Sequence, residues 1–181
     1  SGRWIFREFN AECISGYNVM KKLQIFTTGG TVDKVYFDAL SEFQIGEPVV
    51  GPILERMNVG FDFAVEELMR LDSLDMTDQH RQTIQQRVSD TDAEYILIMH
   101  GTDGMVETAG WLSNIANKKI IFTGAMQPAA FADTDAVFNI GCAVGALQTV
   151  EAGVYIVMSG QVFAADQVIK NRAAHRFESV G

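Results

Sequence analysis

Basic side chains are scarce in this chain. Fourteen Lys and Arg stand against 23 Asp and Glu, giving a formal charge of -9 and a pI of about 4.7. That balance excludes nucleic acid as the main partner, because gripping a phosphate backbone takes clustered Lys and Arg. Cysteine is scarcer still. Cys13 and Cys142 stand in no metal-ligand spacing, and Cys142 lies in an apolar helical run where a buried thiol is expected. No stretch reaches the ~18 apolar residues of a membrane span. The N-terminus has no apolar signal core, since Arg3, Arg7, Glu8 and Glu12 interrupt it. The cytoplasm is therefore the expected compartment. No repeat, low-complexity tract or proline-rich linker divides the 181 residues, and with 48% apolar and 20% charged residues the chain can build one real core.

Residues 1–19 have no clear period, whereas Met20 followed by "KKLQIF" reads as a natural start. A leader or expression-derived segment is expected over 1–19, and the domain over 20–181. Short apolar runs predict strands over 22–26, 62–68, 95–100, 118–126 and 153–160. Helical spacing predicts helices over 46–58, 75–90 (with Thr77 as N-cap), 105–117 and 133–152. Residues 31–48 read as a hairpin-like excursion or a loop. Strands and helices alternate, and the runs at 95–99 and 153–158 are apolar without interruption. This predicts an α/β fold: a doubly wound, mainly parallel sheet of about five strands, with right-handed crossovers and helices on both faces.

Chemistry gathers behind the strands. The first ends in "TTGGT", the third in "HGTDG", the fourth in "TGAM" and the fifth in "SGQVFAADQVIK". Parallel strands deliver all these termini to the edge where open α/β sheets bind ligands. Glycines let the backbone turn sharply and approach a bound group. A hydroxyl nucleophile needs a nearby base, and Thr102, Asp103 and Lys170 supply a hydroxyl, a carboxylate and an amine. His100 reads as a satisfied strand-end histidine.

These residues resemble the bacterial-type L-asparaginases. That family's Thr-Gly-Gly-Thr stands here as Thr28-Gly29-Gly30-Thr31, its His-Gly-Thr-Asp as His100-Gly101-Thr102-Asp103, and its Gly-Ala-Met-x-Pro as Gly124-Ala125-Met126-Gln127-Pro128. Lys170 follows the last strand as the family's lysine does. The resemblance implies Thr31 as nucleophile on a side-chain amide, with Thr102, Asp103 and Lys170 as a second hydroxyl relay. It implies that Tyr36 closes over the site and polarises Thr31. Ser73 would grip the substrate α-carboxylate and Asp103 its α-amino group. Backbone groups of Gly30, Gly101 and Ala125 would hold the carboxamide and its oxyanion. Neither metal nor organic cofactor is implied.

Three departures accompany the resemblance. The sequence ends at "RFESVG", where the family continues into a second, smaller domain; that domain is expected to be absent. Gly104 stands where the family has Thr, and Leu74 where it has Gln. Apolar surface left uncovered would favour a homo-oligomer, a homodimer first. The implied activity is an amidohydrolase acting on asparagine or a related small amide. The alternatives are an amino-acid-binding or regulatory one-domain relative, or a subunit of an amidotransferase-like assembly.

Overall fold

The computed structural model describes residues 19–181, so the expected leader and Cys13 lie outside the described residues except for Val19. Six strands form one sheet in the order β4-β1-β5-β6-β7-β8. They are β1 (Lys22–Gly29), β4 (Asp62–Leu71), β5 (Tyr95–Met99), β6 (Lys119–Thr123), β7 (Gly153–Met158) and β8 (Gln161–Ala164). The first five are parallel, and β8 runs antiparallel to β7. Two hairpins stand outside the sheet: β2 (Lys34–Phe37) with β3 (Glu42–Ile45), and β9 (Val168–Asn171) with β10 (Arg176–Ser179).

The two faces can be read from strand alternation. In β5, Leu97 and Met99 point to one core and Ile96 and Ile98 to the other. The register carries this across neighbours: Ile25 pairs with Leu97, and Phe26 with Ile98. The first core takes α1 (Val50–Arg56) and α4 (Ala136–Leu147) through Ile53, Leu54, Ile140 and Leu147. The second takes α2 (Asp78–Asp90) and α3 (Met105–Trp111) through Ile84, Val88, Met105 and Ala109. Strands buried on both sides lack a polar face, which is why they read as unbroken apolar runs. In α2 the capping box uses His80, whose Nδ1 accepts the Thr77 N–H at 3.0 Å, in place of the usual Glu or Gln.

The sequence led to about five strands and no strand beyond 160. The sixth follows from Ser159 and Gly160, both at positive φ (53° and 79°). Two such residues match the twist of a two-residue hairpin, so the chain turns straight back as β8. The place of Lys170 follows from this turn. The chain leaves β8 through a 3-10 turn and enters β9, so Lys170 sits on a strand, not in a loop. The excursion at 31–48 is a hairpin, with Ser41 at φ 51° in its turn. Cys142 is half-buried against the first core rather than fully enclosed.

Leu97 is fully buried at the centre of the sheet. Leu97→Ala should lower unfolding free energy by about 2–5 kcal/mol, through lost transfer energy plus a cavity. Equilibrium urea unfolding checks it; a change under about 1 kcal/mol would mean that the first core is not packed around this residue.

Candidate active site at the carboxyl edge

Strand order changes direction beside β1: the chain goes to β4 on one flank, then crosses to β5 on the other. Open α/β sheets bind ligands in the crevice at such a switch point. The loops that meet there are packed backbone to backbone. Gly30 has φ 93°, and a Cβ on it would lie 2.7 Å from both the N and the Cα of Gly101. A Cβ on Gly101 would lie 2.6 Å from Ser73 Oγ. These positions therefore require glycine, one for its φ and both for close approach. Thr31 and Thr102 each follow a glycine of the first contact, so the two hydroxyl-bearing residues flank one junction.

Around that junction the polar partners are specific. Lys170 Nζ donates to Thr102 Oγ1 at 2.8 Å and to Asp103 Oδ1 at 2.7 Å. Both Thr102 and the Lys170 side chain are largely buried, at 7% and 12% exposure. Arg172 Nε lies 3.3 Å from the same Asp103 oxygen. Ser73 is buried, and its Oγ accepts the Gly104 N–H at 3.1 Å. Asp72 accepts the Leu74 N–H and pairs with Lys34 at 3.2 Å. The Leu74 amide first, and Lys34 with it, hold the Asp72 carboxyl below its usual range against the opposing effect of partial burial. Thr31 is partly exposed at the head of a 3-10 turn, Thr31–Asp33. Tyr36 is exposed on β2 and meets Phe43 edge-on, with ring centres 5.4 Å apart.

The loop after β6 clasps the Thr31 turn, since the Ala129 N–H donates to Val32 O at 3.0 Å. Sequence reading missed what holds this loop. Asp135 accepts the N–H groups of Met126 and Gln127, and the amide of Asn139. Asn139 in turn donates to Gly124 O and accepts the Ser159 N–H. The segment carrying Ala125 is thereby tied to α4. The signal was present as an Asp and an Asn four residues apart at the start of a helical run. Their targets, however, lie on other loops.

His100 is enclosed and neutral. Its Nδ1–H donates to Gly101 O at 2.8 Å, its ring meets Phe122 edge-on, and burial pushes its pKa down to about 4, with the Arg81 charge adding to the effect. Through Nδ1 it braces the peptide before Thr102, but Nε2 is buried without a partner among the described residues, so the histidine is only half satisfied. Among the described residues, no group of His, Cys, Asp or Glu is arranged to hold a metal ion, and no helix is long and apolar enough to cross a membrane.

Against known proteins, the family described as "Asparaginase, N-terminal" matches residues 22–180. A glutaminase-asparaginase of Acinetobacter glutaminasificans is 31% identical over 124 residues, which cover 62% of this chain and 38% of that one. A glutamyl-tRNA(Gln) amidotransferase subunit of Methanococcus maripaludis is 30% identical over 151 residues, 78% of this chain and 36% of that one. The thermostable L-asparaginase from Thermococcus kodakarensis shares the fold, with a TM-score of 0.76 at 23% identity over 87% of this chain and 51% of that one. The chain thus spans between about a third and a half of the length of these relatives.

A depressed histidine pKa makes stability pH-dependent in one direction. Between about 6.5 and 4 the unfolded chain binds the proton first, so this contribution is present at neutral pH and lost on acidification. Replacing the ring by a neutral amide, His100→Asn, should remove up to ~3 kcal/mol of that pH dependence. Urea unfolding of both proteins at pH 7.0 and 4.5 measures the difference of differences; equal pH dependence would place a charged or solvated imidazole at position 100.

Proposed function

The chain belongs to the asparaginase family, and on that premise we propose that it is an amidohydrolase that cleaves the side-chain amide of asparagine or a related small amide, releasing ammonia. The observation that carries the reading is the 2.8 Å contact between Lys170 Nζ and Thr102 Oγ1 at the glycine junction beside Thr31. An amine on a hydroxyl at a sheet edge built for ligands is the pairing that hydroxyl catalysis needs.

The proposed steps use these residues alone and water. Thr31 Oγ attacks the amide carbon, forming an ester as the C–N bond breaks. The hydroxyl proton passes through the Thr102–Lys170 pair and leaves with the ammonia. A water then hydrolyses the ester, restoring Thr31 and giving the acid. Lys170 relays that proton, held in place by Asp103. Backbone N–H groups of Gly30, Gly101 and Ala125 would face the developing oxyanion, the placement at which fixed dipoles act most strongly. Ser73 accepts the Gly104 N–H and so keeps its own proton to donate to an α-carboxylate. Lys170 and Arg172 both lie on Asp103 Oδ1, which leaves Oδ2 for an α-ammonium. Tyr36 would reach Thr31 by movement of the β2–β3 hairpin. A homo-oligomer in the cytoplasm belongs to the same proposal; exposed Phe138, Val162 and Ile169 supply apolar surface for association.

The match to an amidotransferase component supports a second reading, in which the released ammonia is handed to a partner rather than to solvent. Coupled ammonia assays on a panel of amides decide between activity and its absence. Thr31→Ala should abolish release, and Lys170→Met should lower it by about 10²–10⁴-fold. The double variant should be little worse than the worse single, as expected of groups acting together. If no amide yields ammonia, yet a small amino acid raises the melting temperature of the wild type and of Thr31→Ala equally, the pocket binds without reacting.

A further inference from the structure

One buried acid close to Thr31 takes no part in those steps. Asp33 ends the Thr31–Asp33 turn and is only 2% exposed. Its Oδ1 accepts the Val49 N–H at 3.0 Å, at the entry of α1. Its backbone O accepts the Gly46 N–H at 2.8 Å, just past the end of β3. Both bonds close on the strap that returns from the β2–β3 hairpin, so one residue ties down the far leg of the excursion that carries Tyr36.

We infer that Asp33 is a positioning residue whose buried carboxyl group anchors the base of the β2–β3 hairpin and thereby sets how readily that hairpin swings away from the Thr31 turn. Geometry supports the anchor. The hairpin is outside the main sheet, and Tyr36, Phe37, Leu40 and Phe43 on it are exposed. It therefore depends on ties at its base more than on a core. The other ties are exposed or partly exposed ion pairs, Glu47 with Arg70 and Lys34 with Asp72, which contribute little in water, and one edge-on contact of the half-exposed Phe43 ring with Phe131, ring centres 5.7 Å apart.

The anchor also responds to protons. The charged groups facing Asp33 are Glu67 and Arg70 of β4, with Glu47 of the strap on Arg70 and Lys34 turned to Asp72. Burial raises the Asp33 pKa to about 6, the Val49 amide opposes this, and Glu67 adds to it. A raised carboxyl pKa means the anchored state holds its proton longer than an opened, solvated one. Anchoring is therefore strongest below pH ~4 and weakens as pH rises through ~6. The hairpin should open more readily at neutral than at acid pH. Only the catalytic meaning of the opening, Tyr36 reaching or leaving Thr31, rests on the amidohydrolase reading.

Hydrogen exchange resolves the claim without any turnover. After correction for intrinsic rates, protection of the Gly46 and Val49 amides should fall more than about tenfold between pH 4.5 and 7.5, given the shift from 3.8 to about 6. The Leu97 and Met99 amides in β5 should not follow. Asp33→Asn keeps the acceptor without the charge, so its Gly46 and Val49 protection should be high and flat with pH. The inference is overturned if wild-type protection is flat, if Asp33→Asn keeps the wild-type slope, or if the β5 amides share that slope, which would make the opening global. If the slope appears and no amide is hydrolysed, the anchor stands and the amidohydrolase reading falls.

Discussion

The distance between the β1 and β5 loops governs everything at the carboxyl edge. Gly30 lies on the backbone of Gly101, and Gly101 lies on Ser73. A methyl group at either position would need atoms to overlap, so a single added carbon would push three loops apart. Because Thr31 and Thr102 directly follow those glycines, the spacing of the two hydroxyls is set by backbone contact, which is stiffer than side-chain packing. Thr28 serves the same end: its Oγ1 donates to Met99 O at 2.9 Å, stitching the end of β1 to the end of β5.

Around this close-packed junction the parts of the edge are held in different ways. The Gly124–Gln127 loop is held by Asp135 and Asn139, whose bonds are nearly all to backbone groups. Lys170 comes next, fixed by a small hairpin and by two charge-assisted contacts. The β2–β3 hairpin stands outside the sheet, with its apolar side chains about half exposed and its base pinned at Asp33. On the proposed reading, the backbone-held junction would carry the reacting groups and the hairpin would serve as their cover.

Buried ionisable groups divide along the same line. His100, behind the junction, is neutral and braces it. Asp33, at the base of the β2–β3 hairpin, holds its proton to about pH 6. The first loses stability on acidification and the second loses it as pH rises, so between about pH 4 and 6 their effects oppose one another.

The sheet was legible in the sequence because its causes are local. Strands covered on both faces must be apolar throughout, and sharp turns behind them must carry glycine; "YILIMHGTDG" states both within ten residues. The capped start of α2 at Thr77 was legible for the same reason. The motifs also named Thr31, Thr102, Asp103 and Lys170. What the sequence could not supply was any quantity that depends on closing long loops. Thr102 and Lys170 meet across 68 positions, and that meeting rests on the Ser159–Gly160 turn, which reverses the chain into β8 and carries β9 back over the sheet edge. Asp33 reads as one more surface acid in an acidic chain. Only the return of the strap, with its Gly46 and Val49 amides, encloses it. Local sequence determined where the backbone could turn and which faces could be buried; the tertiary structure decided which polar atoms lost their water, and so which of them acquired a partner or a shifted pKa.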